Sequence, residues 1–211
     1  MFNITDDDKG IKMEFVDSIK FETNLKGLFD ICRSNDDNNK NFLAVETNNG
    51  EVQVLVLFNN SVYLKLFKKL STGFQRLQKI IFTQKYLFII EETGSKIKCF
   101  SLYNNNFEYL CDLHRGKKPS NISKIIDLED NYIAVSSSNG TIHIYKIDLS
   151  SQSSNNYYVN LFQKVSNAFF GDGLWSCMKI NLKEMLEKEE EGYRNIICNG
   201  GSSNEIVCIK C

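Results

Sequence analysis

The chain has 211 residues, 42% of them hydrophobic, and a formal net charge of −1. That is the length of one domain or slightly more, with enough apolar material for a real core. The near-neutral charge excludes a global pull toward nucleic acid or anionic membrane, so any anion binding must come from a local patch. Seven cysteines, an odd number scattered along the chain, argue against a disulfide framework and for a reducing compartment. The close pair Cys208 and Cys211 has no second pair to complete a tetrahedral zinc site, so no metal and no other cofactor is expected. Met1–Gly10 is polar and acidic, unlike a secretory signal, and no apolar run approaches the about 20 residues needed to span a bilayer. The resulting expectation is a cytoplasmic protein.

Taken in order, the chain reads as short strands separated by polar turns. A partial unit, Ile11–Phe15 with Ser18–Glu22, suggests a hairpin. A first full unit follows with Leu28–Arg33, Phe42–Val45, Val52–Leu57 and Tyr63–Lys68. A second holds Leu77–Phe82, Tyr86–Ile90, Ile97–Leu102 and Phe107–Leu113. A third holds Ile122–Leu128, Tyr132–Val135 and Thr141–Ile147, and a fourth Trp175–Ile180, Ile196–Cys198 and Ile206–Ile209. The unit starts Leu28, Leu77, Ile122 and Trp175 recur at close to the roughly 40–50 residues of a propeller blade. Asn48-Asn49-Gly50, Thr93-Gly94 and Ser138-Asn139-Gly140 occupy one place in successive units, and Asn and Gly accept the left-handed backbone of tight hairpins. A β-sandwich would explain the strands but not the period. The expectation is an all-β fold, a WD-type β-propeller present as a partial ring of about four and a half four-stranded blades. Its single domain, 1–211, divides into an incomplete blade at 1–27 and blades at 28–70, 71–116, 117–173 and 174–211. Such a ring leaves an edge that further blades or another chain must cover.

Several segments carry a family resemblance. Phe21-Glu22-Thr23-Asn24-Leu25-Lys26-Gly27-Leu28 resembles a segment of the PROPPIN family, with Leu25 where proline is usual. The hairpin from Asn41 to Val54, the turn Leu113-His114-Arg115-Gly116 and the stretch Trp175-Ser176-Cys177-Met178-Lys179-Ile180 are similar to segments of that family in the same order. The last of these resembles the segment that opens the family's final blade. PROPPINs are seven-bladed propellers that bind phosphoinositides, and the resemblance runs from about their third blade onward.

The resemblance implies a headgroup site. The family carries two arginines at a blade junction, one for each of two sites. Here the second is Arg115 and the first is replaced by His114. Arginine suits phosphate because its planar fork donates two parallel hydrogen bonds. Lys117 and Lys118 add local positive charge. Ser137, Thr141 and His143 would complete the cradle, since Thr141 and His143 lie two apart and share one strand face. The family's other site is altered here, because Glu91 and Glu92 stand where hydroxyls are usual and would repel phosphate. A single lipid site built on Arg115 is therefore expected.

Residues 149–173 form a long loop. Within it Tyr158, Phe162, Val165 and Phe169 follow a helical period, which suits an interfacial helix with Tyr157, Tyr158 and Phe162 as membrane-insertion candidates. The same stretch also supplies a fourth strand for its blade, and both readings stand. No nucleophile elbow, clustered metal ligands or glycine-rich phosphate loop occurs, so an enzyme is not expected. The resemblance implies recognition of phosphatidylinositol 3-phosphate and/or the 3,5-bisphosphate at autophagic or endolysosomal membranes, with a protein partner from that machinery and no nucleic acid. The competing reading is a propeller scaffold that binds proteins independently of lipid.

Overall fold

The computed structural model describes residues 2–7, 10–15, 27–33, 40–47, 50–58, 61–147, 173–181, 195–199 and 206–210. Two strands, β1 (Phe2–Asp7) and β2 (Gly10–Phe15), pair as an antiparallel hairpin. The first full sheet is a meander of β3 (Phe29–Arg33), β4 (Lys40–Glu46), β5 (Glu51–Phe58) and β6 (Ser61–Ser71). The second runs through β7 (Leu77–Phe82), β8 (Tyr86–Glu91), β9 (Lys96–Ser101) and β10 (Glu108–His114). The third begins with β11 (Ile122–Asp127), β12 (Tyr132–Ser137) and β13 (Thr141–Lys146). Two short strands follow, β14 (Leu174–Trp175) and β15 (Met178–Asn181), and then a second hairpin, β16 (Asn195–Asn199) with β17 (Ile206–Lys210).

The side-chain period of two explains how the sheets stack. In β8 every apolar residue is buried, but alternate ones enter different cores. Leu87 and Ile89 pack with Phe42, Val54 and Val56 of the first sheet. Tyr86, Phe88 and Ile90 pack with Ile125, Ile133, Val135 and Tyr145 of the third. The same division recurs in the third sheet, where Ala134, Ile142 and Ile144 turn away into a separate cluster with Ile126 and Ile180. Each sheet is thus a layer with two buried faces. The first strands of successive sheets adjoin one another: β7 neighbours both β3 and β11, and β11 neighbours β16. That ordering is the inner ring of a propeller, with blades radiating outward. Carboxylates hold the β7–β8 turn from both neighbours. Asp30 Oδ2 accepts from Phe82 N at 2.7 Å, and Asp127 Oδ2 from Lys85 N at 3.0 Å.

The described residues form three sheets of four or five strands and two hairpins, an open propeller rather than a closed ring. Two strand assignments differ from the sequence reading. Ile11–Phe15 does enter a hairpin, but its partner is Phe2–Asp7, and Ser18–Glu22 lies outside the described residues. The alternation of Phe2 and Ile4 was hidden there by the surrounding acidic residues. The segment expected to open the last blade is divided instead. Leu174–Trp175 pairs parallel to Leu113–His114 as a fifth strand of the second sheet. Met178–Asn181 then pairs antiparallel with Thr141–Ile144 and completes the third sheet. The physical reason is the edge of β13, whose backbone groups need partners; β15 supplies them and makes 159–170 unnecessary for that purpose.

Two hairpin glycines fix the packing of sheets on their connections. Gly50 and Gly94 have φ of 68° and 67°. A Cβ on Gly94 would sit 2.0 Å from the carbonyl oxygen of Ser120, on the connection leading into the third sheet, and one on Gly50 would sit 1.9 Å from that of Phe74. Gly73 has a similar φ of 71° but nothing within 4 Å. Gly94→Ala should therefore cost about 3 kcal/mol, from left-handed strain plus a backbone clash. Gly73→Ala should cost only about 1 kcal/mol, from strain alone. Urea unfolding of both variants checks this; equal losses would show that the close approach at Gly94 is not tight.

Candidate functional site

The expected site residues meet where the second and third sheets adjoin, at the end of the core that contains Leu113, Val135 and Tyr145. β10 ends at His114, and the chain leaves it as the loop Arg115–Ser120. Arg115 is only 7% exposed. Its backbone N–H donates to Ser95 O at 3.0 Å and its Nε to Gly94 O at 3.0 Å. Its Nη2 donates to the carbonyl of Lys118, folding the loop back on itself. Burial pushes the guanidinium below its ordinary pKa, but an arginine keeps its charge. Among the described residues no carboxylate pairs with it. Lys117 and Lys118 are exposed on the same loop.

The carbonyl latch made by Arg115 has a counterpart one sheet earlier. Thr72, the first residue after β6, donates its hydroxyl to Gly50 O at 2.6 Å. Arg115, the first residue after β10, does the same to Gly94. The latch is thus a repeated structural device, and in the second sheet it is made by a cation.

The hairpin β12–β13 supplies the hydroxyls. Ser137 and Thr141 are register partners, and their oxygens stand 2.8 Å apart. Both donate to Asn139 Oδ1, at 2.6 and 2.9 Å. The equivalent turn of the second sheet repeats this triangle. Thr93 Oγ1 and Ser95 Oγ are 2.8 Å apart and both donate to Glu91 Oε2, at 3.1 and 2.9 Å. A carboxylate therefore occupies there the place that an amide oxygen takes in the third sheet. Glu92 points instead to Arg76, at 3.4 Å.

The two histidines part company. His114 is buried and stacks on Trp175, with ring centroids 5.3 Å apart, while its carbonyl accepts from Tyr145 Oη at 3.1 Å. His143 lies on the face shared with Thr141 and Tyr145, 3.1 Å from Ser176 Oγ through Nδ1. Lys179 is its register partner on β15. Asn139, Tyr145, Ser176 and Lys179 were not singled out from the sequence. Asn139 was read only as a turn residue. Tyr145 continues the two-residue period of Thr141 and His143 and was legible from it. Ser176 and Lys179 carry no local signal, since a distant strand brings them in. Tyr157, Tyr158 and Phe162 lie outside the described residues.

Burial, then the charges of Arg115 and Lys179, push the His143 pKa down to about 4. Tyr145 and Ser176 also contact the imidazole, and neither brings a negative charge. The unfolded chain takes up this proton near pH 6.5, whereas the folded chain resists it down to about pH 4. Between those values the unfolded state binds more protons, so stability falls as pH drops through that window. His143→Asn should remove this part of the slope. Urea unfolding at pH 4 to 7 measures it; equal slopes for both proteins would mean that His143 is not held neutral.

No protein-family model matches the chain. It is 28% identical over 190 residues to Autophagy-related protein 18 of Dictyostelium discoideum, covering 87% of this chain and 49% of the relative. Two solved structures of Hsv2 from Kluyveromyces lactis superpose on it. One has a TM-score of 0.61 at 16% identity, covering 99% of this chain and 62% of that one. The other has a TM-score of 0.60 at 16% identity, covering 99% and 61%. The chain thus spans about half the length of its curated relative. Inner strands that adjoin from sheet to sheet, motifs in family order and these likenesses agree, and the chain is a PROPPIN-like partial β-propeller.

Proposed function

We propose that this chain is a phosphoinositide-binding peripheral membrane protein of autophagy or endolysosomal trafficking, acting as an adaptor rather than an enzyme. Its ligand is the headgroup of phosphatidylinositol 3-phosphate or the 3,5-bisphosphate, held between the second and third sheets. The observation that carries this reading is Arg115. A guanidinium 7% exposed without a carboxylate partner is a costly arrangement, and an incoming phosphate relieves it. Ser137, Thr141 and His143 stand beside it as neutral donors, with Lys117 and Lys118 drawing anionic lipid to the loop. The name of the curated relative supports the autophagy setting. No helix among the described residues is long and apolar enough to cross a membrane, in keeping with peripheral attachment. A protein partner of that machinery, bound on other blades, belongs to the same proposal, as does a cytoplasmic location.

A second reading, a scaffold that binds proteins without lipid, is favoured by the internal bonding of the site. The hydroxyls of Ser137 and Thr141 already donate to Asn139, and two nitrogens of Arg115 already meet carbonyls.

Vesicle flotation separates the two. The folded chain should float with vesicles containing phosphatidylinositol 3-phosphate and not with neutral ones. Arg115→Gln removes the charge while keeping an amide donor, and should weaken binding by about ten- to a hundredfold, the worth of a hydrogen bond to a charged group. A folded wild-type chain that stays unbound would leave the scaffold reading in its place.

A further inference from the structure

We infer that Lys179, on the outer strand of the third sheet, is a second cationic contact of the headgroup site and selects a ligand with two anionic groups beyond the lipid linkage. This rests on the phosphoinositide reading of the Arg115 site. The strand register carries it. β15 pairs with β13 so that Lys179 stands directly opposite His143, and Asn181 directly opposite Thr141. Directly opposed residues of an antiparallel pair project from the same face. Lys179 therefore extends outward the polar face that Thr141 and His143 begin. Its charge reaches the imidazole, since Lys179 and Arg115 both hold His143 in its neutral form.

Two further observations fit a ligand rather than a solvated surface lysine. Neither Lys179 nor Arg115 pairs with a carboxylate among the described residues. The turn that delivers Lys179 is also anchored on the site, by the contact of Ser176 Oγ with His143 Nδ1 at 3.1 Å. The arrangement is a neutral, buried imidazole between two cations. One cation, Arg115, is rigid and belongs to the second sheet. The other is flexible, exposed and belongs to the third. A single phosphate meets Arg115. A second phosphate on the same ring meets Lys179, which acts as a mobile point charge able to reach a group it does not chelate. The recognised chemistry is an inositol ring bearing two phosphates besides the one that would join it to lipid.

The test titrates wild type, Lys179→Ala and Lys179→Arg with inositol 1,3-bisphosphate and inositol 1,3,5-trisphosphate by calorimetry. A parallel arm uses vesicles holding phosphatidylinositol 3-phosphate or the 3,5-bisphosphate. Wild type should prefer the ligand with the additional phosphate by about fivefold, the contribution of one basic residue near an anionic group. Lys179→Ala should abolish that preference and leave affinity for the less phosphorylated ligand within about twofold. Lys179→Arg should restore it. Binding on vesicles alone assigns the ligand to membrane lipid, binding in both arms admits free inositol phosphates, and the same comparison of variants applies in each. No preference in wild type, or an equal loss for both ligands in Lys179→Ala, overturns the inference while leaving the Arg115 site intact. Wild type that binds neither ligand in either arm overturns the underlying reading with it. Thermal melts of all three proteins should coincide, because Lys179 is exposed.

Discussion

The structure depends on the need of each sheet to bury both of its faces. A strand such as β8, with Tyr86, Leu87, Phe88, Ile89 and Ile90 in succession, cannot sit at a surface. It needs a layer of apolar side chains on either side, and the period of two sends neighbouring residues into different layers. The first and third sheets provide those layers. Once the sheets stack, their twist and the short connections set the inner strands beside one another, and a propeller arc follows. The polar contacts between sheets are consistent with this order. Asp30 and Asp127 bind backbone N–H groups of one turn from opposite sides, and Gln78 accepts from Ile122 N at 2.6 Å. They fix the alignment of layers that hydrophobic burial has already brought together.

The candidate site is a consequence of the same stacking. Where the core between the second and third sheets reaches the end of β10, the apolar ladder of Ile133, Val135 and Tyr145 gives way to His143, Thr141 and Ser137. The backbone turns there into the loop that carries Arg115. Burying a guanidinium without a counter-charge costs several kcal/mol. Hydrogen bonds to the carbonyls of Gly94 and Lys118 offset part of this, at about 1.5–3 kcal/mol each for a charged donor. They satisfy hydrogen-bonding capacity but do not neutralise the charge. The remaining positive potential is what a phosphate would meet, in a place where a carboxylate might have stood and none does.

Internal repetition sharpens the comparison between the two hairpins. The triangles Ser137–Asn139–Thr141 and Glu91–Thr93–Ser95 have nearly the same distances. They differ in charge. Beside Arg115 the oxygen that gathers the hydroxyls is a neutral amide, whereas in the second sheet it is a carboxylate. The neutral triangle leaves room in the electrostatics for an external anion, and the acidic one carries its own. That difference supports a single headgroup site without any appeal to shape.

The repeat of strands, the glycine turns and the β class were legible in the sequence, because they are local. Alternation needs only neighbouring side chains, and a left-handed turn needs only its glycine. Arg115, Ser137, Thr141 and His143 were legible for a similar reason, since each sits in a short motif with strand spacing. The tertiary structure decided what pairing across distance decides. It divided Trp175–Ile180 between two sheets, because the free edges of β10 and β13 each needed a partner. It put His114 under Trp175 rather than toward a ligand, a stack between residues from different sheets. It brought Ser176 and Lys179 onto His143, and it turned Glu91 toward Thr93 and Ser95. Chain sequence sets which strands and turns can form; backbone hydrogen bonds between strands far apart in the chain set which side chains meet.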